Sequence, residues 1–287
     1  MSGFGGRLHA AMAERGQLCV GIDPHASLLA EWGLDADAAG AREFGLRVVE
    51  AAAGRVAVVK PQVAFYERYG SAGFAALEVV LRAARDAGLL VIADAKRGDI
   101  GSTMDAYAEA WLAAGSPLEA DAVTVSPYLG PDALRGTIAH AVRGGKGLFV
   151  LAATSNPEAR GLQSAEVTVV DAERGQTVAD WVATHAGAAN RSAVRGDDAL
   201  GPVGFVVGAT IDRDELGLRA ETLAAAPILA PGFGAQGARL TDLGRLFGAL
   251  APQVLASASR SILGAGPDGL AAAIDAHNEE LQESRRG

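Results

Sequence analysis

The stretch LLVIADAKRGDIGST, residues 89–103, begins as an unbroken apolar run and ends in a cluster of charges. Its apolar part does not alternate with polar residues, which is typical of a parallel strand covered on both faces. Asp94, Lys96 and Asp99 follow with the spacing D-x-K-x-x-D. A buried strand tolerates such charges only where they satisfy one another or face a site. The stretch therefore predicts a parallel sheet with chemistry at the carboxyl end of one strand.

Seven further apolar runs occur along the chain, and helical stretches lie between them. These runs are residues 17–23, 56–60, 121–126, 147–153, 204–210, 227–232 and 253–259. The helical stretches are residues 38–53, 73–88, 104–115, 131–145, 176–193, 214–226, 239–250 and 268–284. Such alternation predicts an α/β fold, a closed (β/α)8 TIM barrel, with a doubly wound open sheet as the alternative.

The chain shows no linker or low-complexity tract that would divide it. We therefore expect residues 1–287 to form a single barrel domain that carries the catalytic site. Residues 156–176 are long for a connection, and we interpret them as an elaborated loop after the fifth strand that could include a short hairpin.

The net charge, the cysteine count and the distribution of apolar residues exclude several classes of function. With 25 basic and 34 acidic residues the formal net charge is −9, which disfavours nucleic acid as a partner but permits a small anionic ligand at a locally basic site. The one cysteine, Cys19, excludes an internal disulfide and is read as a small buried residue. No charge-free apolar stretch is long enough to span a membrane and no signal-peptide layout opens the chain, so we expect a cytoplasmic protein.

The histidines give no sign of a metal site. All five are scattered, without ligand spacing and without partner cysteines. His25 follows the sequence GIDP near the expected barrel mouth, and we assign it no role. The prediction is a protein without a metal.

Polar side chains follow nearly every predicted strand. In a barrel the functional site lies at the carboxyl ends of the strands, so this position selects candidates. They are Asp23, Lys60, Asp94, Lys96, Ser126, Thr154, Ser155, Ser259 and Arg260. Residues two apart on a strand face the same way, so Asp94 and Lys96 should point together toward the mouth, near Lys60. A purely structural ion-pair cluster is the simpler interpretation, but so many charges exceed what stability requires.

The sequence PGFGAQG contains three glycines, Gly232, Gly234 and Gly237, that fit G-x-G-x-x-G. A dinucleotide site would have this motif after the first strand with an acid about 20 residues later. Here the motif follows the seventh predicted strand and position 257 is a serine. Barrels bind phosphate after strands seven and eight, so we predict a phosphate loop closed by Gln236 and by the guanidinium of Arg260.

Several motifs in this order resemble orotidine 5′-phosphate decarboxylase, in its longer bacterial (type 2) form. They are GIDP, VVKPQVAFYERYG, DAKRGDIGST, ATSNP, PGFGAQG and SRSI, and they span nearly the whole chain. The resemblance implies a dimeric barrel, a carboxy-lyase that converts orotidine 5′-phosphate to UMP and CO2 in the last step of de novo pyrimidine nucleotide synthesis. It also implies that no metal or organic cofactor is used.

Residue roles follow from the same resemblance, motif by motif. Lys60, Asp94, Lys96 and Asp99 would form a charged catalytic tetrad, with Asp99 reaching into the partner subunit's site beside Ile100 and Thr103. Asp23 would bind the ribose and Ser155 the pyrimidine. Gly234, Gln236, Ser259 and Arg260 would hold the phosphate end. Related short enzymes have D-I-P-N-T where this chain has Gly101 and Ser102 after Ile100, which leaves the contacts of those two residues open.

Two other functions are weighed. A metal-dependent sugar-phosphate decarboxylase on the same scaffold also carries D-x-K-x-x-D, but such enzymes tend to have an acid where this chain has Lys60. A non-catalytic nucleotide-binding barrel is the second alternative, and the intact acidic and basic positions argue against it.

Overall fold

The computed structural model describes residues 2–168, 174–194, 200–234 and 237–284. Eight parallel strands close into a barrel in sequence order, with β8 paired to β1. The strands are β1 (Leu18–Ile22), β2 (Val58–Pro61), β3 (Leu90–Arg97), β4 (Ala122–Val125), β5 (Gly147–Ala153), β6 (Val203–Val207), β7 (Ile228–Pro231) and β8 (Val254–Ala258). All eight predicted strands are confirmed, and the closed barrel replaces the open-sheet alternative.

Helices surround the barrel. In the described residues they are α1 (Phe4–Arg15), α2 (Ala26–Glu31), α3 (Ala38–Ala52), α4 (Ala64–Glu67), α5 (Gly70–Asp86), α6 (Gly101–Leu112), α7 (Arg135–Gly144), α8 (Arg160–Gln163), α9 (Val178–Ala193), α10 (Leu243–Phe247), α11 (Arg260–Leu263) and α12 (Leu270–Ser284). Side-chain caps start two of the long ones: Asp37 accepts from the amide of Gly40 before α3, and Thr177 accepts from the amide of Asp180 before α9.

The strands bury both faces, as their unbroken apolar runs predict. One apolar cluster lies between the sheet and the outer helices, and a second fills the inside of the barrel. Phe4 and Leu8 of α1 belong to the inner cluster, so α1 covers the amino-terminal end of the barrel. The ring of Phe4 packs edge-on against Phe149 at 6.1 Å, and a Cβ at Gly147 would lie 2.2 Å from that ring. The amino-terminal end is thus closed by packing, and the carboxyl end remains for a site.

One predicted helix is wrong. Residues 214–226 form turns, with no helix between β6 and β7 in a segment that the structure describes throughout. Gly217 takes a positive φ of 67°, a backbone conformation that an α-helix does not contain, so a helix cannot continue through this position. Thr177 and Asp180 of the α9 amino terminus then hold the segment, through bonds to the carbonyl of Leu216 and the hydroxyl of Thr222. Tertiary hydrogen bonds thus override the helical composition of this segment.

The long connection after β5 contains short elements of its own. Residues 157–159 form a 3-10 turn that leads into α8, and Glu166 pairs with Thr177 in an isolated antiparallel bridge. The amide of Val167 donates to the carbonyl of Gln176 at 2.8 Å. The predicted hairpin is present at its base, and residues 169–173 lie outside the described part of the chain.

Every helix among the described residues is too short or too polar to cross a membrane. Cys19 is a free, buried thiol inside the barrel, in agreement with its interpretation from the sequence. Burial raises the pKa of this thiol to about 12, so Cys19 stays uncharged and acts as a small apolar residue.

The plug at the amino-terminal end gives a stability prediction. Phe4 is 1% exposed, and Phe4→Ala removes a ring that packs among residues held rigidly by strands. We expect a loss of about 3–5 kcal/mol in the free energy of unfolding, as for other buried aromatic truncations. Thermal and urea unfolding measure it. Val142→Ala, on a side chain that is 44% exposed, is the control and should change stability little. An equally small effect of Phe4→Ala would show that α1 does not contribute to the core.

Candidate active site

A cavity of about 320 Å³ opens at the carboxyl ends of the strands. The predicted site residues that line it are Asp23, Lys60, Asp94, Lys96, Thr154, Ser155, Ser259 and Arg260. Three of these side chains are basic and two are acidic, so the cavity carries a local excess of 3 − 2 = +1 in a chain of net charge −9. The cavity therefore suits a small anion, as the sequence predicts.

Two lysines share one carboxylate at the bottom of this cavity. Lys60 Nζ lies 2.9 Å from Asp94 Oδ2, and Lys96 Nζ lies 2.5 Å from Asp94 Oδ1. The side chains of Lys60 and Asp94 are each 11% exposed, whereas that of Lys96 is 45% exposed. The cluster therefore has a buried anchor, Lys60–Asp94, and a second lysine that faces the open cavity.

The charges of this cluster stabilise one another. Burial alone would lower the pKa of Lys60, but the adjacent Asp94, together with Asp23, more than offsets burial and raises it above its ordinary value. Burial alone would raise the pKa of Asp94, yet Lys60 and Lys96 hold it well below its usual range. Both members of the pair are therefore charged at neutral pH. The pair contributes stability that is lost when acid protonates Asp94 or strong base deprotonates Lys60.

Lys96 reaches the cavity by an irregular backbone. Regular strand alternation was expected to aim it, but the β3–β4 register shifts between Ala93 and Arg97, which marks a β-bulge. Lys96 has a φ of 48°, in the left-handed region that costs a non-glycine residue about 1–2 kcal/mol. Strained backbone of this kind persists only where surrounding contacts hold it. The bulge, rather than simple alternation, thus sets the direction of Lys96.

Asp23 and Ser259 form a second polar pair at the cavity wall. Ser259 Oγ donates to Asp23 Oδ2 at 2.5 Å, and the other carboxylate oxygen, Oδ1, is buried with no hydrogen-bond partner. A Cβ at Gly21 would lie 2.7 Å from the Ser259 side chain, so only glycine permits this approach of β1 and β8.

The phosphate end is only partly assembled by the described residues. Arg260 lines the cavity, and its guanidinium forms no hydrogen bond or ion pair with the side chains or backbone of the described residues. Gly232 also lines it, but the amide of Gly234 already donates to the carbonyl of Ala238 at 2.8 Å. Gln236 lies outside the described residues. Within the sequence PGFGAQG, Pro231, Gly232 and Phe233 line the cavity, and Arg260 lines it from the segment after β8.

Three predicted residues that follow β3 do not line the cavity of their own chain, and the predicted Gly234 does not line it either. Asp99, Ile100 and Thr103 lie past the end of β3, where Asp99 Oδ1 accepts from the amide of Ile100 at 2.8 Å. The Ile100 side chain is 61% exposed. Gly98 allows the chain to pass close to Ser126, since a Cβ there would lie 2.6 Å from the Ser126 carbonyl oxygen. Ser126 itself is also absent from the cavity wall.

Sequence reasoning missed part of the wall. Thr124 lines the cavity and bonds to Asp94, and the Gln62 amide, with its nitrogen toward Asp94, lies 2.5 Å from Asp94 Oδ2. Ser257 lines the cavity too. The apolar part of the wall is Leu151, Val206, Leu229, Pro231 and Phe233. Thr124 and Ser257 could have been predicted from the sequence, because each is a polar residue at an inward-facing position of an otherwise apolar strand.

Two remaining sequence inferences concern histidine and metal. His25 packs against Phe65 with ring centroids 4.1 Å apart and does not line the cavity. Within residues 2–168, 174–194, 200–234 and 237–284, no group of three or more His, Cys, Asp or Glu side chains is arranged to hold a metal ion.

The protein combines a closed (β/α)8 barrel with a lysine–aspartate–lysine cluster in a cavity of about 320 Å³. This architecture is that of a barrel enzyme that acts on small anionic substrates. A family comparison specifies the class further. The chain belongs to the orotidine 5′-phosphate decarboxylase / HUMPS family, whose model matches residues 16–275.

Individual relatives agree with this family. The orotidine 5′-phosphate decarboxylase of Salinispora arenicola is 53% identical over 93% of this chain and 92% of its own length. That of Streptomyces coelicolor is 52% identical, again over 93% and 92% of the two chains. The structure of the Leishmania donovani OMP decarboxylase superposes with a TM-score of 0.75 at 34% identity, covering 99% of this chain and 100% of that one.

The buried pair gives a prediction about protonation. In Asp94→Asn the charge that keeps Lys60 protonated is gone while burial remains, so we expect the pKa of Lys60 to fall below its wild-type value. NMR titration of the lysine side-chain signals measures it, with Lys60→Met to assign the resonance. Asp132→Asn removes the same charge from a side chain that is 58% exposed, and should leave Lys60 unchanged. A Lys60 pKa equal to that of wild type in Asp94→Asn would contradict the assignment of Asp94 as its chief partner.

Proposed function

We propose that this protein is a carboxy-lyase that converts orotidine 5′-phosphate to UMP and CO2. The observation that carries the proposal is the Lys60–Asp94–Lys96 cluster at the bottom of an anion-sized cavity. Family membership supports the same substrate, since the relatives at 52–53% identity bear this activity in their names. The reaction is the last step of de novo pyrimidine nucleotide synthesis.

The chemistry needs fixed positive charge next to the reacting carbon. When the bond between C6 and the carboxylate breaks, CO2 leaves and the electron pair stays on C6 in an sp2 orbital that lies in the ring plane and cannot delocalise into the π system. The protonated amine of Lys96 stabilises that charge and transfers a proton to C6, and water restores the proton to Lys96. The partial exposure of Lys96 supports this role, because its amine faces the cavity and solvent.

Asp94 and Lys60 prepare the site. Lys60 keeps Asp94 ionised, and Asp94 holds the amine of Lys96 in one place. Asp94 near the departing carboxylate would also favour its loss by like-charge repulsion. Because the cluster exists before substrate binds, little reorganisation is required at the moment of reaction.

The rest of the cavity binds the nucleotide. Asp23, which lines the cavity, takes a ribose hydroxyl, and Ser259 orients Asp23. Ser155 contacts the pyrimidine. Arg260 takes the phosphate, together with the loop of Gly234 and Gln236. Binding a phosphate far from C6 allows remote binding energy to organise the reacting end.

The positive charge comes from lysine rather than from a metal ion. Lys60 and Lys96 both contact the carboxylate that a metal would otherwise bind, and Lys60 stands where the metal-dependent sugar-phosphate decarboxylases tend to have an acid. We therefore keep the metal-independent reaction and set that alternative aside.

We further propose a homodimer in which Asp99 acts in the partner's site, with Ile100 and Thr103 beside it. Asp99 does not line its own cavity, so the tetrad is incomplete within one chain. Exposed apolar side chains follow β3 and β4: Ile100, Tyr128 and Leu129 are 61%, 77% and 53% exposed. Exposed apolar side chains after the strands that carry the site suit an isologous interface. We place the dimer in the cytoplasm, as one catalytic domain per chain.

The test of function is a metal-free assay. Wild-type protein should consume orotidine 5′-phosphate, followed by its absorbance loss, and release UMP at a rate that EDTA does not change. Lys96→Ala should be slower by at least about 100-fold, because the proton donor is gone, while circular dichroism stays near wild type. Activity lost with EDTA and restored by magnesium would favour the sugar-phosphate class. Lys96→Ala with a few per cent of activity would remove Lys96 from the proton-transfer role.

The dimer is tested by mixing inactive variants. In a mixed dimer of Lys96→Ala and Asp99→Ala, one site carries both changes and the other is intact. Random exchange makes about half of the dimers mixed, so activity should recover to roughly a quarter of wild type.

The matched control mixes Lys96→Ala with Lys60→Ala. Those two residues act in the same chain's site, so no intact site can form and no activity should return. A tag on one variant verifies exchange. If exchange occurs and the first mixture stays inactive, Asp99 acts within its own chain or not at all.

A further inference from the structure

Thr124 of β4 is a buried threonine that touches both functional groups of β3. It is 1% exposed, and its side chain forms part of the cavity wall. Its Oγ1 donates to Asp94 Oδ1 at 2.9 Å and accepts the backbone amide of Lys96, also at 2.9 Å. A hydroxyl has one proton to donate, so the proton of Thr124 is committed to Asp94.

From these contacts we infer that Thr124 is a positioning residue for Lys96, an inference that rests on the decarboxylase function proposed above. The bulge between Ala93 and Arg97 takes the Lys96 amide out of the regular β3–β4 register. Thr124 Oγ1 receives that amide while Lys96 holds its left-handed φ of 48°. The hydroxyl thus holds the strained residue in place.

Thr124 also completes the set of hydrogen-bond donors around the Asp94 carboxylate. Asp94 Oδ1 receives the Thr124 hydroxyl and the Lys96 amine, while Oδ2 receives Lys60 and the Gln62 amide. The backbone and the side chain of Lys96 are therefore tied to the same carboxylate oxygen, one through Thr124 and one directly. With both ends of the residue fixed, the amine has one defined position over the cavity.

The position of that amine matters more for chemistry than for binding. A shift of about 1 Å in a reacting group costs on the order of 100-fold in rate, whereas the sugar and phosphate contacts lie elsewhere in the cavity. Loss of the Thr124 hydroxyl should therefore lower kcat and leave KM nearly unchanged, which is the pattern for a contact that counts in the transition state.

The experiment compares two buried threonines. Thr124→Val keeps the shape and removes the hydroxyl, and we expect kcat on orotidine 5′-phosphate to fall about 10- to 100-fold with KM within about threefold of wild type. Thr137→Val in α7 is the matched control, because Thr137 is also 1% exposed but its Oγ1 has no hydrogen-bond partner. The control should keep the wild-type kcat and KM. A Thr124→Val enzyme with wild-type kcat, or with a raised KM alone, overturns the inference.

A second pair of variants at the same position keeps the inference testable if Thr124→Val folds poorly. Thr124→Ser and Thr124→Ala differ by a single oxygen atom, so they separate the hydrogen bonds from packing. The serine variant should keep kcat within about threefold of wild type, and the alanine variant should fall as the valine variant does. Equal rates for serine and alanine overturn the inference.

A structural readout separates this inference from the proposed function. In a crystal structure of Thr124→Val we expect Lys96 to leave its left-handed φ or its amine to move away from Asp94 Oδ1. Unchanged Lys96 geometry overturns the positioning role, whatever the substrate. If Lys96 is displaced in Thr124→Val and the wild-type enzyme fails to decarboxylate orotidine 5′-phosphate, the positioning role is supported and the proposed substrate is rejected.

Discussion

The carboxylate of Asp94 is the group on which the carboxyl end of this barrel depends. It joins three adjacent strands, because it accepts from Lys60 on β2, Lys96 on β3 and Thr124 on β4. Removing one partner of such a buried pair leaves an uncompensated charge, at a cost of about 3–5 kcal/mol. The same carboxylate therefore stabilises the mouth and fixes the charges that the proposed chemistry uses.

The two ends of the barrel follow opposite physical rules. At the amino-terminal end, α1 closes the interior with Phe4 and Leu8, which pack closely against the inner apolar cluster. At the carboxyl end the walls combine polar groups with apolar side chains such as Leu151 and Val206. Partial dryness strengthens every charge interaction there. The packing that stabilises the barrel and the polar groups of the cavity thus lie at opposite ends of the same barrel.

The irregular positions of the backbone lie where chemistry is placed. The bulge and the left-handed Lys96 interrupt β3 only after its buried apolar part, so the cost of strain falls outside the core. Gly21 performs the matching task on β1, where a missing side chain lets Asp23 and Ser259 meet. Asp99 lies past the same bulge and does not line the cavity of its own chain.

The sequence by itself determined the strand order, the barrel and the charged residues at strand ends, because buried parallel strands need unbroken apolar runs and charges cannot stay inside them. Motif spacing likewise identified Lys60, Asp94 and Lys96. Only the tertiary structure decided how Lys96 is aimed, since a register shift between strands is not encoded in local alternation. Tertiary contacts also kept residues 214–226 from forming a helix and brought Thr124 and Gln62 to Asp94. Those features depend on which distant side chains satisfy a backbone or a buried charge, and local propensity carries no record of such partners.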